Sequence, residues 1–275
     1  MSAGKMASNL FAKTDNMEFM KTLPEKSLDF IYIDPPFNTD AIYKTGSCAG
    51  KNDAYEDKWS GGLTGYLDML KPRIEEMRRL LKDSGTIAIH LDWHAVHYVK
   101  VMCDGIFGMN NFVNELIWTY KSGGAGKKSF AKKHDTILVY SNTSKYYFKP
   151  QKEKSYNRGF KPYRFKGVEE YADEQGRWYT LVNHRDVFNI DMVGRTSKER
   201  TGYPTQKPEA LMSMLLEGFC PEGGRCGDFF AGSGSLAASA VKSGRSFVCC
   251  DLGDEAFRMA KARLSELSQD IDWIE

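Results

Sequence analysis

This chain has no apolar run long enough to cross a bilayer, since its longest, such as residues 86–91, are strand-length. No membrane role is indicated. Its six cysteines, Cys48, Cys103, Cys220, Cys226, Cys249 and Cys250, form no C-x-x-C pair, and no apolar signal segment precedes them. They read as reduced thiols, the expectation for a cytoplasmic protein. There is no internal repeat and no low-complexity tract, and charge of either sign is barely in excess, the formal net charge being +2. A surface that attracts polyanions would therefore have to concentrate its cations in one segment. What is present is ordinary for a globular protein: 41% hydrophobic and 27% charged residues in a chain of 275, enough for one α/β unit with an insertion. Residues 1–8 are small and polar and read as a disordered start.

Strand and helix signals alternate at both ends of the chain, the pattern of a mostly parallel sheet with helices on both faces. Residues 28–33, Leu-Asp-Phe-Ile-Tyr-Ile, predict a buried strand ending at Asp34. Leu63, Leu67, Leu70, Ile74, Met77 and Leu81 recur at helical spacing and stop at Asp83-Ser84-Gly85. A strand over 86–91 and a helix over 94–106 follow. Residues 112–120 and 135–141 read as strands flanking a loop rich in glycine and lysine, an antiparallel hairpin at a sheet edge. Periodicity fades from about 146 to 201. It returns as a helix over 208–220, a strand over 225–230, a helix over 235–242, a strand over 246–250 and a closing helix over 255–267.

Two loops carry chemistry. Asp34-Pro35-Pro36-Phe37 directly follows a buried strand, and in open α/β sheets ligands bind beyond the carboxyl ends of strands. A ligand amino group needs an acceptor for each N–H, and Asp34 offers a carboxylate while Pro35 offers a carbonyl with no competing donor. Consecutive prolines hold those acceptors in place in advance. Phe37 adds an aromatic face for an unstacked ring. The plainer reading of a bare Asp-Pro-Pro is a rigid turn; the preceding strand and following aromatic favour the functional one.

The second loop is Gly227-Asp228-Phe229-Phe230-Ala231-Gly232-Ser233-Gly234-Ser235, again between a strand and a helix. Its glycines permit close backbone approach, but it lacks the G-x-G-x-x-G spacing of a pyrophosphate cradle. Asp228 would repel a phosphate and welcome an ammonium, and Asp251, ending the next strand, is placed to take ribose hydroxyls. A ligand with a ribose, an ammonium and no pyrophosphate fits S-adenosylmethionine.

Together these loops make the sequence recognisable. It resembles the β-group of DNA amino-methyltransferases of restriction–modification systems, adenine-N6 type, especially the modification subunits of type III systems. The resemblance rests on Thr14-Asp15-Asn16, Asp34-Pro35-Pro36-Phe37-Asn38-Thr39, Trp59, residues 86–92, Ile117-Trp118, residues 134–140, Thr201-Gly202-Tyr203-Pro204-Thr205-Gln206-Lys207-Pro208 and the glycine loop. It implies a doubly wound, mostly parallel α/β sheet of seven strands with an antiparallel edge hairpin. That order is circularly permuted, with the catalytic loop ahead of the cofactor loop. Residues 1–145 would form the catalytic part, 146–200 a small target-recognition insertion, and 201–275 the S-adenosylmethionine-binding part. Asp34, Pro35, Pro36 and Phe37 are the expected catalytic residues. Asp15, Lys207, Asp228, Phe230, Gly232, Ser233, Gly234, Ser235 and Asp251 are the expected cofactor ligands, Asp15 and Lys207 through the resemblance alone. The implied reaction is methyl transfer to an exocyclic amino nitrogen of a base turned out of duplex DNA. Asp-Pro-Pro-Phe leans to adenine over cytosine N4; RNA methylation and a non-catalytic DNA-binding module are the remaining alternatives. The implied partner is double-stranded DNA, with a homodimer and a restriction enzyme as further partners of the family. Asp228-Phe229 departs from the family's more usual Asp-Pro.

The charge hidden in the total lies mid-chain, where Lys121, Lys127, Lys128, Lys132 and Lys133 open a stretch of cations that runs to Lys166, interleaved with aromatics and opposed only by Asp135 and Glu153. These lysines are the expected phosphate contacts, and Arg177 and Arg185, with Asn183 and His184, are candidates for base contacts. No metal is expected: His90, Asp92, His94 and His97 cross a strand end rather than sharing one helical face. Cys220-Pro221 reverses the order used by nucleophilic cysteines of cytosine-ring methyltransferases, so no covalent intermediate is expected.

Overall fold

A computed structural model describes residues 9–36, 41–44, 53–57, 60–121 and 127–275, with 41–44 and 53–57 described as backbone. In chain order the elements are β1 (Leu10–Lys13), α1 (Asn16–Thr22), β2 (Leu28–Ile33), β3 (Ala41–Lys44), β4 (Asp53–Asp57), α2 (Gly62–Leu80) and β5 (Leu81–Leu91). Then come α3 (Val96–Phe107), β6 (Phe112–Thr119), β7 (His134–Ser141), β8 (Lys152–Tyr156), β9 (Glu170–Ala172), β10 (Trp178–Asn183) and β11 (Val187–Asn189). The chain closes with α4 (Glu209–Phe219), β12 (Arg225–Asp228), α5 (Ser235–Lys242), β13 (Ser246–Asp251), α6 (Asp254–Ser265) and β14 (Asp272–Ile274).

The main sheet has the order β11-β6-β7-β5-β2-β12-β13-β1-β14. Only β7 runs against its neighbours, pairing antiparallel with β5 and β6. The seven strands expected from the sequence are its interior. Two three-residue strands, β11 and β14, extend the edges to nine, because each finds a partner of matching direction in β6 and β1. Such short strands carry no readable periodicity.

Central strands in a parallel sheet are covered on both faces, which is why β2 is buried along its whole length. Its residues divide by parity: Phe30 and Tyr32 enter a core with α4, α5 and α6, whereas Ile31 and Ile33 enter one with α1, α2 and α3. The buried carboxylate of Asp29 on the same strand is held by Lys82 Nζ at 2.8 Å and by the Arg225 amide at 2.9 Å. β2 leads through α2 on one face to β5, and β12 leads through α5 on the other face to β13. The winding therefore switches between β2 and β12, strands nearly two hundred positions apart, and a crevice opens at their carboxyl ends.

The stretch over which periodicity fades contains a second sheet, β8-β10-β9, entirely antiparallel. β3 and β4 form a two-stranded antiparallel pair. Among the described residues no helix is long and apolar enough to cross a membrane. The described cysteines, Cys103, Cys220, Cys226, Cys249 and Cys250, are all buried free thiols. Burial foremost, with Asp29 nearby, pushes the Cys220 thiol up to about 12, so it is a poor nucleophile near neutrality. Cys48 lies outside the described residues.

Candidate active site

A cavity of about 390 Å³ occupies the switch-point crevice. Four strands deliver its walls: β1 ends at Thr14-Asp15-Asn16, β2 at Asp34 and Pro36, β12 at Asp228 and the glycine loop, and β13 at Asp251. The acidic turn and the glycine loop thus meet because β2 and β12 are hydrogen-bonded neighbours running the same way.

Asp34 receives Lys207 Nζ on its Oδ2, and both side chains are mostly buried, 15% and 10% exposed. Its other oxygen, Oδ1, is buried and has no hydrogen-bond partner. A buried carboxylate oxygen left unsatisfied costs stability unless something else donates to it, so its presence beside a cavity marks a place for a ligand N–H. Lys207 is itself anchored, its carbonyl accepting from Ser235 Oγ at 2.9 Å. Resemblance had set Lys207 toward the cofactor; the structure gives it Asp34 as an ion-pair partner while keeping it on the cavity wall. Pro35 is buried behind the wall and Pro36 lines it. Phe37, with Asn38, Thr39 and Trp59, lies outside the described residues.

Asp228 is 3% exposed and its Oδ1 accepts the Phe230 amide at 3.0 Å. Burial pushes its carboxyl well up, with the negative Asp34 and Asp251 nearby adding to the effect against that amide and Lys207. Burial likewise raises Asp251, although the amides of Gly232 and Gly253 donate to it at 2.8 and 2.9 Å. One wall is therefore made of closely placed carboxylates short of compensating charge, a site for a cation and not for a phosphate.

Gly232 has φ +48°, and a Cβ there would stand 3.1 Å from the Tyr203 ring, so only glycine keeps both the turn and that contact. Gly234, expected as a cofactor ligand, does not line the cavity. With φ +72° it forms the N-terminal cap position of α5 and packs toward Ala260 and Leu264 of α6, which turns it inward. The other expected ligands, Asp15, Lys207, Asp228, Phe230, Gly232, Ser233, Ser235 and Asp251, all line it. Asp15 also caps α1, accepting from the Met17 and Glu18 amides.

Several lining residues escaped the sequence reading. Arg73 of α2 donates to Asn16 Oδ1 at 2.7 Å and Asn16 donates to the Phe229 carbonyl at 2.9 Å, bracing the glycine loop from the opposite face. The signal available was an arginine within the apolar stripe of α2, between Leu70 and Ile74. Phe229, the departure from Asp-Pro, is 1% exposed and meets Phe19 edge-on, so its ring fills the core beneath the loop while Phe230 faces the cavity.

Tyr32 lines the cavity floor and begins a buried chain: its hydroxyl lies 2.8 Å from His90 Nδ1, His90 Nε2 lies 3.1 Å from Asp135, and Tyr120 donates to Asp135 at 3.0 Å. Burial pushes the Asp135 carboxyl up, but the His90 hydrogen bond and charge, with Lys207, hold it below the ordinary range. An ionised Asp135 only accepts, so His90 Nε2 donates to it, and Nδ1 is left facing the Tyr32 hydroxyl. Asp92 instead holds His94, at 2.6 Å from Nδ1, and among the described residues no group of three or more His, Cys, Asp or Glu is placed to hold a metal ion.

Lys121, Lys127, Lys128 and Lys132 are exposed and Lys133 half-buried, all on the connection from the carboxyl end of β6 to the start of β7. That is the end of the sheet where Asp34 lies. Arg177 is clamped, its Nε 2.8 Å from Asp173 and its guanidinium over Tyr156 and Phe160. Arg185 pairs with Glu153 but remains 72% exposed.

The architecture and crevice define an α/β enzyme-like domain with a cation-accepting ligand wall beside an N–H acceptor. The model of the DNA methylase family, of N6/N4 methyltransferase type, matches residues 28–262, and the chain belongs to that family. It is similar to the DNA adenine methyltransferase YhdJ of Escherichia coli K12, 27% identical over 92% of this chain and 82% of that protein. It is also similar to the type II methyltransferase M.HpaI of Haemophilus parainfluenzae, 28% identical over 93% of this chain and 74% of that one. TTHA0409 of Thermus thermophilus, solved with S-adenosyl-L-methionine, shares the fold at a TM-score of 0.62 and 19% identity, over 97% of this chain and 98% of that one.

Proposed function

We propose that this protein is a site-specific DNA methyltransferase that places a methyl group from S-adenosylmethionine on the N6 amino group of an adenine turned out of the duplex. The observation that carries the reading is the buried, unpartnered Oδ1 of Asp34 on the wall of the cavity that also holds the glycine loop. The cofactor fits the residues present: the cavity volume is within the roughly 300–1,000 Å³ of small-molecule sites, Asp228 suits its ammonium and Asp251 its ribose. When bound, it supplies an electrophilic methyl on a sulfonium.

The chain's own residues supply alignment. Asp34 Oδ1 accepts one N–H of the target amine and so orients its lone pair, an interaction that strengthens as the nitrogen becomes tetrahedral and acidic. Lys207 places its ammonium on the other oxygen of Asp34, which leaves Oδ1 for the amine. Tyr32, tied through His90 to Asp135, gives the floor a fixed position. On this reading 1–145 and 201–275 form the methyltransferase domain and 146–200 recognises the target. Double-stranded DNA is the partner on this reading, and a homodimer and a cognate restriction enzyme are further partners proposed on the family resemblance alone.

Incubation with unmethylated genomic DNA and S-adenosylmethionine, followed by single-molecule sequencing, is expected to reveal N6-methyladenine at one recurring sequence. N4-methylcytosine would reassign the base, and methylation of RNA alone would reject the substrate class. DNA binding should weaken steeply with salt, and Lys127→Ala/Lys128→Ala should flatten the log–log slope by about 2, since each neutralised phosphate contributes roughly 0.9. An unchanged slope would remove these lysines from the interface.

The raised carboxyl of Asp228 makes cofactor binding pH-dependent. A cation bound beside it favours the ionised form, so binding expels protons, and affinity should strengthen as pH rises through the elevated range of Asp228. Calorimetry in buffers of different ionisation enthalpy should report proton release, reduced in Asp228→Asn. Proton uptake would contradict the assignment of Asp228 to the ammonium.

A further inference from the structure

Trp93 stands on the turn between β5 and α3, outside the cavity and unexplained by the proposed chemistry. β5 pairs in register with β2, Ile33 opposite Ile89, so Asp34 is level with His90 and Trp93 lies three residues further out, one strand across. The lysine-bearing connection from β6 to β7 emerges at the same end of the sheet. A tryptophan left 47% exposed at this rim is a large apolar surface facing solvent.

Its indole is nonetheless fixed. The His94 ring lies against it at 3.7 Å between centroids, and His94 is itself held by Asp92, through Nδ1 at 2.6 Å and its amide at 2.9 Å. Asp92 also accepts the Val96 amide through its carbonyl, so the turn is tied to the start of α3. Lys132 Nζ sits 3.5 Å from the indole centroid. A cation over an exposed ring is a weaker partner than a stacked base, and a phosphate is a stronger partner for the ammonium than the ring. The pair is therefore built to exchange: Lys132 moves to the DNA backbone and the indole face it leaves accepts a base.

Resting on the methyltransferase reading, we propose that Trp93 stacks on the thymine orphaned when the target adenine leaves the duplex, with Lys132 on the adjoining phosphate. The ring is rigid beforehand, so little ordering is lost when it stacks. Extruding a base exposes the faces of its former neighbours and partner to water, and an aromatic plane at the rim replaces that lost stacking.

The test uses the full chain and a duplex carrying the mapped target sequence. Trp93→Ala should lower kcat/KM on the order of 10–100-fold on the intact pair, with Trp93→Phe keeping most of the rate and cofactor affinity unmoved in both. Opposite an abasic site there is no orphan to stack on, and wild type and Trp93→Ala should converge. A second readout is independent of turnover: with 5-iodouracil in place of the partner thymine and S-adenosylhomocysteine bound, irradiation should cross-link the peptide containing Trp93. Equal losses on both duplexes, no loss on the intact pair, or a cross-link mapped elsewhere would overturn the role of Trp93. A wild-type protein that cross-links yet leaves the duplex unmethylated would instead fault the transferase reading.

Discussion

Asp34→Ala is expected to lower methyl transfer by about 10³-fold or more while changing S-adenosylmethionine affinity little, because it removes an acceptor whose bond to the amine is strongest in the transition state. The magnitude follows from what else remains. The crevice, the glycine loop and the Asp228–Asp251 wall do not depend on Asp34, so the donor still binds; the amine loses the group that aims its lone pair. Asp34→Asn is the sharper variant. It is nearly isosteric, but it loses the charge, and with its amide oxygen kept on the Lys207 ammonium its NH2 takes the place of Oδ1 and presents a donor to the amine, so a large loss there would show that an anionic acceptor, and not shape, is required. Single-turnover methylation of the mapped duplex, with calorimetric cofactor binding alongside, separates the two effects. Wild-type rates in Asp34→Ala would reject the site; a parallel collapse of cofactor affinity would make Asp34 a cofactor ligand.

Lys207→Met should have the largest effect on stability. The ion pair with Asp34 is mostly buried on both sides, and removing the cation leaves a carboxylate with no compensating charge in contact and an Oδ1 already lacking a partner. Breaking such a pair from one side costs about 3–5 kcal/mol, a fall in Tm on the order of 10 °C for a chain of this size. The double variant Asp34→Asn/Lys207→Met removes the orphaned charge and should recover much of that loss, though not activity. A Tm for Lys207→Met equal to wild type would show that solvent reaches the pair freely. The same variant tests how Lys207 acts: if it works through Asp34, kcat falls while cofactor affinity holds, whereas a direct cofactor ligand would weaken binding first.

The lysine is also an instance of what could be read in advance and what could not. Thr205-Gln206-Lys207-Pro208 marked a functional segment, but nothing in a linear pattern says that a side chain at 207 meets one at 34. Arg73 shows the same limit more strongly, since an arginine in an otherwise apolar helical stripe has many explanations until Asn16 and the Phe229 carbonyl are found against it. Tyr32, His90, Asp135 and Tyr120 come from four different stretches of the chain, and the sequence offered His90 only within the resembling segment 86–92 and in a histidine cluster set aside as a metal site. Gly234 shows the limit in the opposite sense: this glycine of the loop forms the cap position of α5 and packs toward α6, and it does not line the cavity.

The elements themselves were legible wherever burial imposes a period. α5 falls on the residues expected, and β2, α2, β7 and α4 on them or within a few, because apolar spacing is a direct record of which face meets the core. The three-residue strands β11 and β14, and the small sheet of β8, β9 and β10, were invisible because too few residues alternate and both faces are partly wet.

The amino-acid sequence alone determined the alternating α/β order, the two loops placed at strand ends, and the chemistry each could offer, since these follow from local period, turn residues and functional groups. Tertiary structure decided which groups share a space: it set β2 beside β12, gave Asp34 a lysine on one oxygen and nothing on the other, and put the carboxylates of Asp228 and Asp251 on one wall. The reason is distance, for hydrogen bonds and charge interactions act over a few ångströms in space, and only the winding of the sheet brings residues from the two ends of the chain that close.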